Sequence, residues 1–187
     1  MHSLYPLYSP YPLCEKKQIM TLHELNILPK NLLKQELIKC CGSNTWVEKM
    51  LPFFPADDMA ELLYDAEEQW YECNEADWLE SFTHHPKIGD MDSLKKKFAT
   101  TAGWASGEQG VVSEASQQTL EALAKGNADY EKKFGFIFIV CATGRSANEM
   151  LTLLNERMPN DKEHEIVIAM EEQNKITQLR LQKLLAE

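Results

Sequence analysis

The chain has 187 residues, a mass of 21.5 kDa, 44% hydrophobic and 26% charged residues. That length suits about one domain, and the composition excludes a disordered or low-complexity chain. Nineteen basic against 29 acidic residues give a formal charge of −10, which argues against binding a phosphate backbone but leaves room for a local cationic pocket.

Residues 1–19 read MHSLYPLYSPYPLCEKKQI. They have prolines among tyrosines, no helical period, and neither the basic start nor the apolar core of a secretory signal. The expectation is a tail outside the fold, with Met20 a candidate native start and residues 20–187 a single domain. Thr21 and Glu24 have the spacing of a capping box. Leu32, Leu33, Leu37, Ile38 and Cys41 fall near one helical face from Lys30 onward, and Gly42 stands where a helix stops. Asn44 or Thr45 is the expected cap of a short helix through Trp46 and Met50. Asp57 or Asp58 caps the next, through Leu62, Ala66 and Trp70. Asn74 caps one through Trp78 and Phe82, ending before Pro86.

Residues 85–112 read as loop, with Gly89, Gly103, Gly107 and Gly110. Ser113 or Ser116 should start a long helix through Leu120, Leu123 and Tyr130, in which Gly126 argues against an unbroken span. Phe134 to Ala142 is the longest apolar run, too short to cross a bilayer, and periodicity does not settle its type. Ser146 and Glu149 form a second capping box before Met150 and Leu154. Asp161 begins a final helix through Ile166, Ala169, Met170, Ile176, Leu179 and Leu184. The fold class is therefore all-α, a single-domain bundle of seven to nine helices with at most one extended segment at 134–142.

Five cysteines, Cys14, Cys40, Cys41, Cys73 and Cys141, form no C-x-x-C pair. They read as small buried hydrophobes in a reduced protein. Nucleotide, dinucleotide and zinc-protease motifs are missing, so no metal is expected. Three places could carry chemistry. His85 precedes Pro86 just after a helix; its bland reading is a histidine stabilised by the helix dipole. Glu108 and Gln109 lie in a glycine-rich stretch that also reads as a solvated turn. Arg157 ends an apolar-faced helix, where a dipole contact or a surface ion pair would serve equally. Spacing alone does not join the three.

Taken together, the segments resemble the 2-oxo-4-hydroxy-4-carboxy-5-ureidoimidazoline (OHCU) decarboxylase family of urate breakdown. The matching pieces are MTLHELNILP at 20–29, HHPKIGD at 84–90, WASGEQ at 104–109, KKFGFIFIVCATGRSANEML at 132–151, LNERMPND at 154–161 and EQNKITQLRL at 172–181. The resemblance implies an all-helical, cofactor-independent homodimer that converts OHCU to (S)-allantoin and CO2. It implies His85 and Glu108 as catalytic residues and Arg157 as the clamp on the substrate. Pro86, the loop Ala105, Ser106, Gly107, Glu108 and Gln109, and the backbone of Phe138, Ile139, Val140, Cys141 and Ala142 match the substrate-binding segments. Ala105 replaces a serine common in the family, a loss worth about 0.5–1.5 kcal/mol of hydrogen bonding.

The chemistry suits these residues. Loss of CO2 leaves an electron pair that the adjacent ring C=N can accept, so no organic cofactor is needed. Imidazole ordinarily titrates near neutral pH and can return a proton, and a guanidinium fork fits a carboxylate or ureido carbonyl. On so acidic a chain a small positive pocket is expected. Nucleic acid and membrane are not expected partners, and the final residues, Leu185-Ala186-Glu187, lack a peroxisomal S-K-L address, leaving the cytoplasm as the expected location. Two competing readings are a helical interaction module, supported by the acidic balance and terminal helix, and a cofactor-free lyase or hydrolase acting on another ureido compound.

Overall fold

The computed structural model describes residues 20–85 and 111–185, with the side chains of all of these except 111–116. Eight α-helices occupy the described residues: α1 (Leu22–Asn26), α2 (Lys30–Cys41), α3 (Asn44–Met50), α4 (Met59–Tyr71), α5 (Glu75–Thr83), α6 (Val111–Phe134), α7 (Ala147–Arg157) and α8 (Lys162–Leu184), with a 3-10 turn at Leu51–Phe53. No strand is present among the described residues. The all-α expectation and its helix count therefore hold. The proposed 1–19 tail, and the site expectations at Pro86, Ala105, Ser106, Gly107, Glu108 and Gln109, lie outside the described residues.

Side-chain caps set most of the helix starts, since each satisfies a backbone N–H that has no partner in the first turn. Thr21 with Glu24 and Ser146 with Glu149 form reciprocal boxes, as their spacing foretells. Asn74 forms another with Asp77, and Asp58 and Asp161 cap α4 and α8. One expectation needs correcting. Helix α3 is capped by Ser43, whose hydroxyl accepts from the Trp46 amide at 3.3 Å. Asn44 instead turns its side chain to Glu80 on α5, at 2.6 Å. Helix α6 is also longer than expected. It is already helical at Val111, so neither Ser113 nor Ser116 is its cap.

Gly126 does not break α6 because it has a packing role. A Cβ there would lie 2.7 Å from Cδ2 of Leu154 on α7. The missing side chain lets the two helices approach, and α6 and α7 pack closely along their lengths.

Two apolar cores result. One gathers Leu33, Leu37, Trp46, Leu62 and Trp70 from α2, α3 and α4. The other gathers Leu123, Tyr130, Phe134, Phe136, Met150 and Leu154 from α6, α7 and the segment after α6. Helix α8 runs through both, giving Met170 and Leu181 to the first and Ile166 and Ala169 to the second. Two indoles fasten this frame without stranding a polar atom: Trp46 Nε1 donates to the Ala66 carbonyl at 2.9 Å and Trp70 Nε1 to the Met170 carbonyl at 3.0 Å. Cys40, Cys41 and Cys73 are buried in the first core, as their composition suggests.

Candidate active site

The end of α2 explains where His85 sits. Gly42 has φ +90°, a left-handed conformation that a side chain would strain, and a Cβ there would lie 2.9 Å from Cβ of His84. Glycine thus lets the end of α2 close against the end of α5. Ser81 locks the contact by donating its hydroxyl to the Cys41 carbonyl. The chain then turns, with the His85 amide donating to the Phe82 carbonyl at 3.2 Å. His84 is exposed and His85 is half-buried, so the two neighbours occupy different surroundings.

Three polar residues of α8 meet this turn. Gln173, Thr177 and Arg180 are spaced i, i+4 and i+7, which puts them on one stripe of the helix. His85 Nε2 and the Gln173 side-chain oxygen are 2.6 Å apart. Arg180 donates through one terminal nitrogen to the Cys40 carbonyl at 3.1 Å, at the negative end of the α2 dipole. Its other terminal nitrogen approaches His85 Nδ1 at 3.5 Å.

A cavity of about 300 Å3 adjoins Arg180. Its walls are Val140, Cys141, Ala142 and Thr143 on one side and Ile176, Leu179, Arg180 and Lys183 on the other. Among the described residues two cations and no carboxylate line it, so these residues form a positive pocket on this acidic chain. The expected cation, Arg157, is elsewhere.

Arg157 is buried, at 7% exposure, and belongs to a polar knot behind the cavity wall. Its Nε donates to Glu165 at 2.6 Å, one terminal nitrogen to the Ile139 carbonyl at 2.8 Å, and the other to the Tyr130 hydroxyl at 3.2 Å. Glu165, fully buried, also accepts from the Tyr130 hydroxyl and from Asn160 Nδ2 at 2.7 Å. The Phe138 ring lies 4.7 Å from the guanidinium carbon, within cation–π range. Burial pushes the Tyr130 hydroxyl well above its ordinary range; Arg157 opposes the rise and Glu165 adds to it.

The segment 137–142 forms neither helix nor strand, so tertiary contacts must hold its backbone. Arg157 takes the Ile139 carbonyl, and Glu172 on α8 accepts from the Cys141 amide at 2.7 Å. Arg145 Nε donates to the Cys141 carbonyl at 3.2 Å. Between these anchors, the Val140 amide has no hydrogen-bond partner among the described residues. Of the five expected binding positions, Val140, Cys141 and Ala142 line the cavity, whereas Phe138 and Ile139 are buried, with Arg157 against both. Burial raises the Glu172 carboxyl, but hydrogen bonds from Lys175 and the Cys141 amide outweigh it and hold the group below its ordinary value.

A family model for OHCU decarboxylase matches residues 26–182. The chain belongs to the OHCU decarboxylase family. It is 40% identical over 151 residues to the uric acid degradation bifunctional protein TTL of Arabidopsis thaliana, an alignment covering 79% of this chain and 46% of that protein. Against the OHCU decarboxylase of Amia calva it is 37% identical over 106 residues, covering 54% and 57% of the two chains. This chain therefore spans about half the length of these curated relatives. A solved structure of OHCU decarboxylase in the presence of (S)-allantoin superposes with a TM-score of 0.65 at 38% identity, covering 81% of this chain and 98% of that one. The structure of (S)-allantoin synthase, at 18% identity and a TM-score of 0.61, covers 87% of this chain and 53% of that one and shares the fold.

Arg180 and Gln173 are the residues that reading the sequence as a string passes over. Both stand inside the matching piece EQNKITQLRL. Among the described residues, no cluster of His, Cys, Asp or Glu is placed to hold a metal ion, and no helix is long and apolar enough to cross a membrane.

Proposed function

We propose that this chain decarboxylates OHCU to (S)-allantoin and CO2 in the cavity between residues 140–143 and α8. The observation that carries this reading is Arg180, which lines the cationic cavity and approaches His85, itself in the wall of a second cavity, in a chain of this family. The substrate is an anion, and a chain of charge −10 gives it no long-range attraction. Arg180 and Lys183 supply the local field. The Arg180 fork takes the substrate carboxylate or a ureido carbonyl, and the Val140 amide meets a ureido acceptor.

As CO2 leaves, its bonding electron pair moves into the adjacent C=N of the ring. That forms a double bond from the hydroxyl-bearing carbon to its ureido-bearing neighbour, and the ring nitrogen takes a proton from solvent. The ureido-bearing carbon then accepts a proton on one face from protonated His85, while the hydroxyl loses its proton and becomes a ring carbonyl, which gives a single enantiomer. Glu108, carried by motif, orients the hydroxyl or ring N–H groups, with Pro86 and the loop Ala105 to Gln109 closing the site. The clamping role expected of Arg157 passes to Arg180 in this reading. Arg157 instead holds the backbone of the binding segment through the Ile139 carbonyl. The family resemblance also carries cofactor independence, a homodimer and a cytoplasmic location, of which the dimer is checked by sedimentation.

OHCU generated in place from urate by urate oxidase and hydroxyisourate hydrolase tests the reading, with circular dichroism following the allantoin formed. Wild type should yield (S)-allantoin faster than spontaneous decay, and His85→Ala should not. A wild-type rate equal to spontaneous decay, or full activity of His85→Ala, would overturn it.

A further inference from the structure

The hydrogen bonds around His85 determine which ring nitrogen carries its proton. Gln173 is completely buried. Its side-chain nitrogen lies 3.1 Å from the Cys41 carbonyl oxygen and 3.1 Å from Thr177 Oγ1. A carbonyl oxygen can only accept, so the NH2 end of the amide must face Cys41. Reversing the amide would place two acceptor oxygens against each other in a dry interior. The end that meets His85 Nε2 at 2.6 Å is therefore the Gln173 oxygen, itself only an acceptor. Nε2 must then carry a hydrogen. On the far side of the ring, a guanidinium that can only donate approaches Nδ1 at 3.5 Å, at the outer limit of a hydrogen bond. Gln173 and Arg180 select the same form.

We propose that Gln173 is a positioning residue that locks neutral His85 as the Nε2–H tautomer, making Nδ1 the atom that gains and gives the proton. The second half of this statement rests on the reading of His85 as proton donor. In that step the Nδ1–H bond of the imidazolium breaks and a C–H bond forms at the ureido-bearing carbon next to the one that has lost CO2, whose hydroxyl gives its proton to solvent and becomes a carbonyl. The ring returns to neutral with Nε2–H still donated to Gln173, and solvent supplies the next proton to Nδ1. Gln173 thus accepts from the ring in both protonation states and need not move during turnover.

The test is a long-range proton–nitrogen NMR spectrum of the full 15N-labelled chain, with His85→Gln identifying the His85 signals. In wild type at a pH where the ring is neutral, Nε2 should show the pyrrole-type shift and Nδ1 the pyridine-type shift. The reverse pattern overturns the proposal. Gln173→Met keeps the side-chain length and removes the acceptor. Ser81 still donates to the Cys41 carbonyl, so that group is not orphaned. This variant should show mixed tautomers and a kcat about 10- to 100-fold lower, with KM within about twofold of wild type. A lower kcat with the wild-type tautomer intact would mean a structural role only and would overturn the proposal; so would unchanged kcat with mixed tautomers. If the variant does not fold, the wild-type spectrum alone decides the tautomer. A wild-type chain with the Nε2–H signature but no decarboxylation would remove the proposed reaction and leave the tautomer assignment standing.

Discussion

Replacing Arg157 with methionine separates the two arginines that could serve the site. In the folded chain the guanidinium satisfies Glu165, the Ile139 carbonyl and the Tyr130 hydroxyl. Its removal leaves Glu165, fully buried, with only Tyr130 and Asn160 as partners among the described residues. Breaking a buried ion pair from one side costs about 3–5 kcal/mol, because the remaining charge keeps its desolvation penalty. A domain of this size has about 5–15 kcal/mol in total, so Arg157→Met should lie near the edge of folding. Urea unfolding measures the loss directly. The double variant Arg157→Met with Glu165→Leu removes both charges, and should regain at least about half of it. The freed Ile139 carbonyl should still loosen the binding segment, so amide exchange at 138–142 should quicken in both variants. Arg180→Met is the contrast. Arg180 is only half-buried and has no carboxylate partner among the described residues, so stability should fall by less than about 1 kcal/mol. Its KM should rise by roughly 10- to 100-fold, the value of one charged hydrogen bond. A loss below about 1 kcal/mol in Arg157→Met, or a double variant no more stable than the single, would refute the buried-pair argument.

Gly126→Ala should be destabilising by about 1 kcal/mol in urea titration: the gain in helix propensity, about 1 kcal/mol, is outweighed by about 1–3 kcal/mol of overpacking against Leu154. A stabilised variant would mean that Leu154 moves aside freely. Burial pushes the Cys41 thiol up to about 12 and the Cys73 thiol up to about 11, so iodoacetamide should modify half-buried Cys141 well before either, as peptide mass mapping can read. Glu172, whose folded value lies below its ordinary 4.5, adds stability that is complete above that pH and lost as pH falls through the folded value. Glu172→Gln should therefore flatten the acid limb of the stability profile; an unchanged limb would show that the Cys141 contact carries no such linkage.

The helix starts were legible because they are local chemistry. A capping box spans four residues, so Thr21 with Glu24 and Ser146 with Glu149 declare themselves in the sequence. Ser43 was missed for a reason outside that window. Asn44 is an equally good cap by type, and only its contact with Glu80, 36 positions away, takes it out of the competition. Gly126 shows the same limit. Its helix penalty is visible in the chain, while the reason it is tolerated stands on α7.

The arginines make the point for the site itself. By motif, Arg157 ends an amphipathic helix near a matched segment, and its fork chemistry suits an anion. What the string does not carry is Glu165, placed by the next helix to neutralise it, or the aromatic wall of Tyr130 and Phe138 around it. Arg180 left a fainter sign. Gln173, Thr177 and Arg180 draw a polar stripe through a helix that is otherwise apolar at Met170, Ile176 and Leu181. A buried helix face rarely carries three polar groups at that spacing unless something across from it needs donors and acceptors. Here that something is the carbonyl end of α2 and the imidazole of His85. The same stripe that satisfies the helix terminus thus fixes the ring, and the structural and chemical demands on α8 become one demand.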